Sequence, residues 1–171
     1  RVMAGSINNP LKIWFTNAGY YDMMVYHMPI LDDDRIEIVA LSSDADRIKH
    51  VVALDGLLLL TGSAELRVFT QNSDALTPKS ITVRPQSFIG ANNVQPVIVN
   101  NVIIYGSQRG GHLRALGYSY NQQGYTSEDI SIRAPHLFDG TSLKSLTVSK
   151  SPNQVLWCVM DNGKLLSCSF L

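Results

Sequence analysis

The sequence predicts an all-β fold of antiparallel hairpin repeats, and three observations predict it. Apolar residues come in runs of four to seven, punctuated by Gly, Asn, Asp and Ser, instead of at the three-and-four spacing of an amphipathic helix. Between the runs stand Asp55-Gly56, Asn100-Asn101, Gly110-Gly111 and Asn162-Gly163. Such dipeptides tolerate the positive φ that type I′ and II′ hairpin turns require. One unit also recurs: strand, tight turn, strand, turn, strand opens at Ile48, Val94 and Leu143, and a partial copy opens at Lys12. Its middle strands centre on Trp14, Leu59, Ile104 and Trp157, spaced 45, 45 and 53 residues apart. A period of roughly 40 to 50 residues made of short antiparallel strands is the size of a propeller blade. The chain therefore reads as β-propeller-like, a partial propeller, with a β-sandwich as the competing topology.

Taken in order, the predicted strands are 11–15, 35–40, 48–54, 57–61, 65–69, 80–84, 96–99, 102–105, 112–118, 143–148, 155–160 and 164–170. One segment departs from the pattern. In Thr126–Phe138, Thr126 or Ser127 is a capping residue and Glu128 and Asp129 suit a helix N-terminus, while Pro135 sets the limit. One short helix is expected around residues 127–135. With Asn162-Gly163 as a two-residue turn, Met160 pairs with Leu165 and Cys158 faces Ser167, which sends Cys168 to the opposite face of the sheet. Both cysteines are then free thiols.

Length and composition bound the function. The 171 residues suit one β-rich domain spanning 1–171, and 45% hydrophobic against 16% charged residues excludes intrinsic disorder. Fourteen basic and fourteen acidic residues cancel, without the basic excess of a protein that lives on phosphate contacts, so sequence-specific nucleic-acid binding is not expected. The most apolar stretch, Val51–Leu60, contains Asp55 and Gly56 and is about half the roughly 20 residues needed to cross a bilayer; no membrane partner is expected. Two cysteines are too few for a disulfide scaffold or a structural zinc site, which suits a reducing compartment. Opening at Arg1 and closing at Leu171 inside an apolar run, the chain reads as a piece of a longer polypeptide.

No motif carries chemistry. Asp32-Asp33-Asp34 lacks the alternation and central Gly of a calcium loop and reads as a solvated turn before a strand. His27, His50, His112 and His136 have no partner at metal-ligand spacing, and neither Gly62-Ser63-Ala64 nor Gly106-Ser107-Gln108 completes a nucleophile elbow. No catalytic residue, metal or cofactor is expected. Arg84, Arg109 and Arg114 are the candidates for ion pairs across a subunit boundary. Tyr20, Tyr21 and Tyr125 are the aromatics that a ligand- or glycan-binding module would use around a pocket. A hydrolase using Asp32–Asp34 is a weaker third reading.

Several stretches together carry a resemblance: IWFTNAGYYDM (Ile13–Met23), DDDRIEI (Asp32–Ile38), LDGLLLLTGSAELRV (Leu54–Val68), LTPKSITVRPQS (Leu76–Ser87), GANNVQPVIV (Gly90–Val99), LGYSYNQQGYTSEDISIRAPHLF (Leu116–Phe138) and LWCVMDNGKLLSCSF (Leu156–Phe170). In order and spacing the chain resembles the tail nozzle family of short-tailed phages, also called tail tubular protein B, and related prophage stabilisation or tail-hub proteins. The resemblance implies a non-enzymatic virion protein, made and assembled in the bacterial cytoplasm. Its members are longer, propeller-like, and form rings that extend the tail tube for genome passage. The implied partners are further copies of the protein and neighbouring tail proteins. The aromatic and basic residues that usually follow LLSCSF in the family are missing beyond Leu171.

Overall fold

The structure, a computed structural model, describes residues 1–40, 46–71 and 75–169. Among them fourteen strands form four antiparallel sheets in which every strand bonds to its neighbour in sequence. The first sheet is β1 (Val2–Ala4), β2 (Lys12–Phe15) and β3 (Ile36–Val39); the second is β4 (Ile48–Leu54), β5 (Gly56–Thr61), β6 (Glu65–Thr70) and β7 (Ile81–Ser87). The third is β8 (Val97–Val99), β9 (Val102–Gly106), β10 (Leu113–Ser119) and β11 (Gly124–Asp129); the fourth is β12 (Leu143–Ser149), β13 (Val155–Met160) and β14 (Leu165–Ser169). The four repeat centres Trp14, Leu59, Ile104 and Trp157 fall on β2, β5, β9 and β13, the second strand of each sheet. The all-β reading and its repeat are thus realised as one meander per copy. The expected strand 164–170 ends at Ser169 in β14; Phe170 lies outside the described residues.

The chain divides into two compact units, Arg1–Pro85 and Gln86–Leu171, each with its own core. In the first, Ile13 from β2 packs with Ala40, Ile48, Leu59, Ala64, Leu66 and Val68, so one face of the three-stranded sheet closes on one face of the four-stranded sheet. In the second, Val99, Ile104 and Leu113 meet Leu143, Leu146, Leu156, Cys158 and Met160. Each such aliphatic side chain removed from water contributes roughly 1.5–3 kcal/mol.

The turns show where local chemistry decides. Val99 pairs with Val102 around Asn100 and Asn101, whose φ values of 46° and 63° make the expected type I′ turn. Asp55-Gly56 behaves differently: Gly56 joins β5 and pairs with Leu54, leaving Asp55 alone at the tip. Gly110-Gly111 closes a four-residue loop between Ser107 and His112, whose main chains bond at 2.8 Å. Gly111 is obligatory there, since its φ is 65° and a Cβ would stand 2.3 Å from the carbonyl oxygen of Thr141.

Two expectations are corrected. The short helix around 127–135 is absent: residues up to Asp129 form β11, which pairs with β10 through Leu116 opposite Ser127 and Tyr118 opposite Tyr125, and the helical part shrinks to a 3₁₀ turn at Pro135–Leu137. Two turns of helix bury little, whereas a fourth strand satisfies a ladder of backbone groups, and Asp129 caps the Ser131 N–H at 2.9 Å rather than a helix. At Asn162-Gly163 the hairpin loop is three residues, Asp161–Gly163. The Met160 N–H donates to Lys164 O at 2.9 Å, the Gly163 N–H donates to Met160 O at 3.1 Å, and Gly163 has φ 81°, a turn closed by a glycine bulge. The register moves by one residue, so Cys158 faces Leu166 and Leu156 faces Cys168. Both thiols then lie on the core face, and both are free.

Candidate functional site

Residues 16–35, joining β2 to β3, form a long loop whose shape is set by two polar side chains. The Asn17 amide donates to the carbonyl oxygens of Val25 (3.0 Å) and Asp33 (3.2 Å) and accepts from the Val25 N–H (2.8 Å). Asp34, fully inside, accepts from the N–H groups of His27 and Leu31, both at 2.9 Å, and lies 2.7 Å from the His27 ring. Burial pushes the Asp34 carboxyl up, but the bonds from the His27 main chain, the His27 ring and the Leu31 main chain outweigh it and hold it below the ordinary 3.8. Thus Asp34 is a loop clamp and not the solvated turn residue that Asp32-Asp33-Asp34 suggested. Arg35 finishes the loop by stacking on Tyr26, 4.9 Å from the ring centroid, and pairing with Glu37 at 3.4 Å. Glu37 is held below its usual range, first by a hydrogen bond from Lys12 and then, against burial, by the charges of Lys12 and Arg35.

With its backbone fixed from within, the loop turns apolar side chains outward. Tyr21 and Met28 are 81% and 86% exposed, and Tyr20, Tyr26, Ile30 and Leu31 are exposed beside them. A run of this kind stands out, because single exposed apolar residues are common but concentrated ones are not. Tyr20 and Tyr21 also line a cavity of about 290 Å³ with Arg1, Phe15 and Thr16. Tyr125 is not a loop aromatic: it sits on β11, buried, edge-on to Tyr118 with ring centroids 5.5 Å apart.

The three candidate arginines fare differently. Arg84 on β7 stacks on Phe69, its guanidinium carbon 4.9 Å from the ring centroid. Arg114 is mostly covered and spent within its own sheet, donating to Ser127 Oγ (2.9 Å) and Ser127 O (3.1 Å) beside Asp129 (3.9 Å). Arg109 is exposed in the β9–β10 loop and forms no side-chain bond among the described residues.

One constellation escaped the sequence. His112 Nδ1 lies 2.8 Å from Ser131 Oγ and its Nε2 3.2 Å from Asp139, a serine, a histidine and an aspartate in line. Their 19- and 27-residue separations leave no local signal. The hydroxyl hydrogen of Ser131, however, is given to Asp129 Oδ1 at 2.7 Å. A serine has one hydroxyl hydrogen, so in this arrangement the Ser131 hydroxyl is directed at Asp129 and not at His112. The group ties the end of β11 to the 3₁₀ turn, with His112 stacked on Phe138.

The sequence profile of the bacteriophage nozzle protein family matches residues 24–166, most of the chain and both units. No curated protein matches it.

Proposed function

Because the chain belongs to the bacteriophage nozzle protein family, a structural component of the phage tail, we propose that it is a wall element of the nozzle or hub ring that extends the tail tube for genome passage. The single observation that carries this reading is the family match over residues 24–166. Three features of the chain support it. The sheets are successive meanders of three or four strands, the form a propeller blade takes. The net charge is zero, so a wall of such sheets holds passing DNA only weakly. The 16–35 loop offers an apolar surface whose shape is already paid for by internal bonds. A closed ring needs heterologous contacts between two different patches on each subunit. Of the three arginines, Arg109 and Arg84 are exposed and keep their charges for such a contact, Arg84 lying over the neutral Phe69 ring, whereas Arg114 is engaged within its own sheet. In this reading the protein acts by assembly and not by catalysis, works in the virion tail, and is put together in the bacterial cytoplasm with neighbouring tail proteins.

Negative-stain imaging of the full-length protein, alone and mixed with its neighbouring tail proteins, tests the proposal. Closed rings are the expected result; a full-length protein monomeric under both conditions would sink it. That outcome would favour a ligand- or glycan-binding module, for which the exposed Tyr20 and Tyr21 beside their cavity are the supporting observation and a glycan array the direct assay.

A further inference from the structure

The fourth sheet repeats a detail of the second. In β4 the register slips between Ile48 and His50, and in β12 between Leu143 and Ser145. In each sheet the second residue of the first strand is thus the extra residue of a β-bulge, and in each it is a lysine, Lys49 and Lys144. A bulge takes a side chain out of the strand's alternation and re-aims it. Lys49 is directed to the turn of its own sheet, its Nζ 3.1 Å from where a Cβ on Gly62 would stand. Lys144 is exposed, and its side chain forms no hydrogen bond or ion pair among the described residues. It lines a cavity of about 400 Å³ between segments 92–94, 107–111 and 142–144, at the edge of the fourth sheet away from β14.

Close backbone fits shape this cavity. Gly111 brings the β9–β10 loop against the Thr141 carbonyl, and a Cβ on Gly106 would stand 2.4 Å from the Asn92 side-chain nitrogen. The Asn92 N–H donates to Gly106 O at 2.9 Å, and its Oδ1 accepts from the Val94 N–H at 3.0 Å. No residue that lines the cavity is acidic.

The polar groups of the lining sort by what they still offer. Ser107 Oγ donates to Arg109 O at 2.7 Å, and Ser142 Oγ donates to Asp161 Oδ2 at 2.6 Å. A hydroxyl has one hydrogen, so both serine oxygens have only lone pairs left to give. The Ser142 bond is also the first cause that holds the Asp161 carboxyl below its ordinary 3.8, so this neighbouring charge is engaged from within. On the donor side stand the Lys144 ammonium and the exposed Asn93 amide, whose side chain makes no bond among the described residues. Gly111 adds a third donor: it is buried, and its main-chain N–H has no partner among the described residues. Val94 and Leu143 supply an apolar wall.

A matching ligand carries negative charge for Lys144, hydroxyl hydrogens for the two serine oxygens and a carbon frame for the wall. A bare inorganic anion leaves the wall and most of the volume unfilled, and a neutral sugar leaves Lys144 unanswered. The size is that of small-molecule sites, roughly 300–1,000 Å³. We propose that this cavity is a binding site for a small polyhydroxylated anion, a sugar acid or a sugar phosphate. The site is independent of the assembly reading and stands whether or not rings form.

The probes are D-glucuronate and glucose-6-phosphate, titrated into the nitrogen-15-labelled chain and followed by amide chemical shifts. Saturation at millimolar concentration is expected for at least one of them, with the shifts centred on Asn93, Gly111 and Lys144. Glucose, which lacks the charge, and inorganic phosphate, which lacks the carbon frame, should each bind at least tenfold more weakly. Lys144→Met should weaken binding at least tenfold with the spectrum otherwise unchanged. Should that variant disturb the fold, Asn93→Asp, which sets a carboxylate at the mouth, is read in its place with the same expectation. Preference for glucuronate assigns the sugar acid, and preference for glucose-6-phosphate the sugar phosphate. No saturable shift with either anion, shifts centred elsewhere, equal binding of glucose or of inorganic phosphate, or undiminished affinity in the variant overturns the proposal.

Discussion

Along β9, three successive residues, Ile103, Ile104 and Tyr105, are fully buried, while along β13 exposure alternates: Leu156, Cys158 and Met160 are at most 1% exposed, but Trp157 and Val159 are 37% and 39% exposed. The first unit repeats the contrast, with Leu58, Leu59 and Leu60 of β5 all at 0% and half-buried Trp14 following fully buried Ile13 on β2. Successive residues of a strand point to opposite faces, so β5 and β9, the second strands of the four-stranded sheets, are buried on both faces, whereas β2 and β13 are fully buried on one face only. The strands that share a repeat position do not share an environment. The difference teaches that the repeat is one of backbone form, and that what distinguishes copies is which face meets another layer.

The sharpest way to break that comparison is truncation at the two equivalent repeat centres of the second unit. Ile104→Ala leaves a cavity between two layers and should cost about 2–5 kcal/mol, whereas Trp157→Ala removes a side chain from an uncovered face and should cost about 1 kcal/mol or less. Urea midpoints measured on the two variants give the answer. Equal losses would mean that the outer face of the fourth sheet is covered in solution.

Backbone geometry ranks next. Gly111→Ala forces a residue with a side chain to a φ of 65° and drives its Cβ against the Thr141 carbonyl. The positive φ alone costs of order 1–3 kcal/mol. The corresponding change at Gly163, with φ 81° but no atom within 4 Å of a built Cβ, should be milder, and thermal melts of the pair separate strain from collision.

The 16–35 loop gives a pH-dependent contrast with the sheets. The Asp34 carboxyl titrates below its ordinary 3.8 in the folded chain, so its contribution to stability is complete above the unfolded value and is lost as pH falls through the folded one. The protection of the Leu31 and His27 amides, measured against the intrinsic exchange rate at each pH, should therefore fall below about pH 4, while the amides of β5 and β9 stay protected. Asp34→Ala should reproduce that loss at pH 7. Loop and sheet amides losing protection together on acidification would show that Asp34 does not act locally.

The strands were legible because turn residues and apolar runs are local signals. The helix expected at 127–135 was not realised, because Ser127, Glu128 and Asp129 look the same as caps or as strand residues until β10 is beside them. A one-residue difference in the Asp161–Gly163 loop reversed the face of Cys168, since side chains alternate with period two. The exposed side of β13 was illegible as well: V-L-W-C-V-M is apolar throughout, and no residue in it says that only one face will be covered. Of the candidate surface, Tyr20, Tyr21 and Arg109 could be picked out from residue type, but the clamps Asn17 and Asp34 and the Ser131–His112–Asp139 line could not, because their bonds join positions up to 27 residues apart.

The smallest effect tests how the unlike sheets of the second unit are held. Besides their shared core, a side-chain amide pair joins them: Asn100, in the β8–β9 turn, donates to Gln154 Oε1 at 2.8 Å, and Gln154, before β13, donates back to Asn100 Oδ1 at 2.9 Å. Both residues are on the surface, where each bond competes with water and nets little. Their coupling should be about 0.5–1 kcal/mol. Asn100 has a φ of 46°, so alanine there would add strain and mask the bond; Asn100→Gly removes the side chain while keeping the conformation accessible. A double-mutant cycle of Asn100→Gly with Gln154→Ala cancels what each change does alone and leaves the pair's interaction. A coupling indistinguishable from zero would mean that the covered face of the three-stranded sheet is held by its apolar core, Leu143, Leu146, Leu156, Cys158 and Met160 with Val148, Leu166 and Cys168 beside them. A value well above 1 kcal/mol would mean that the surface link also fixes how that face is set against β8 and β9.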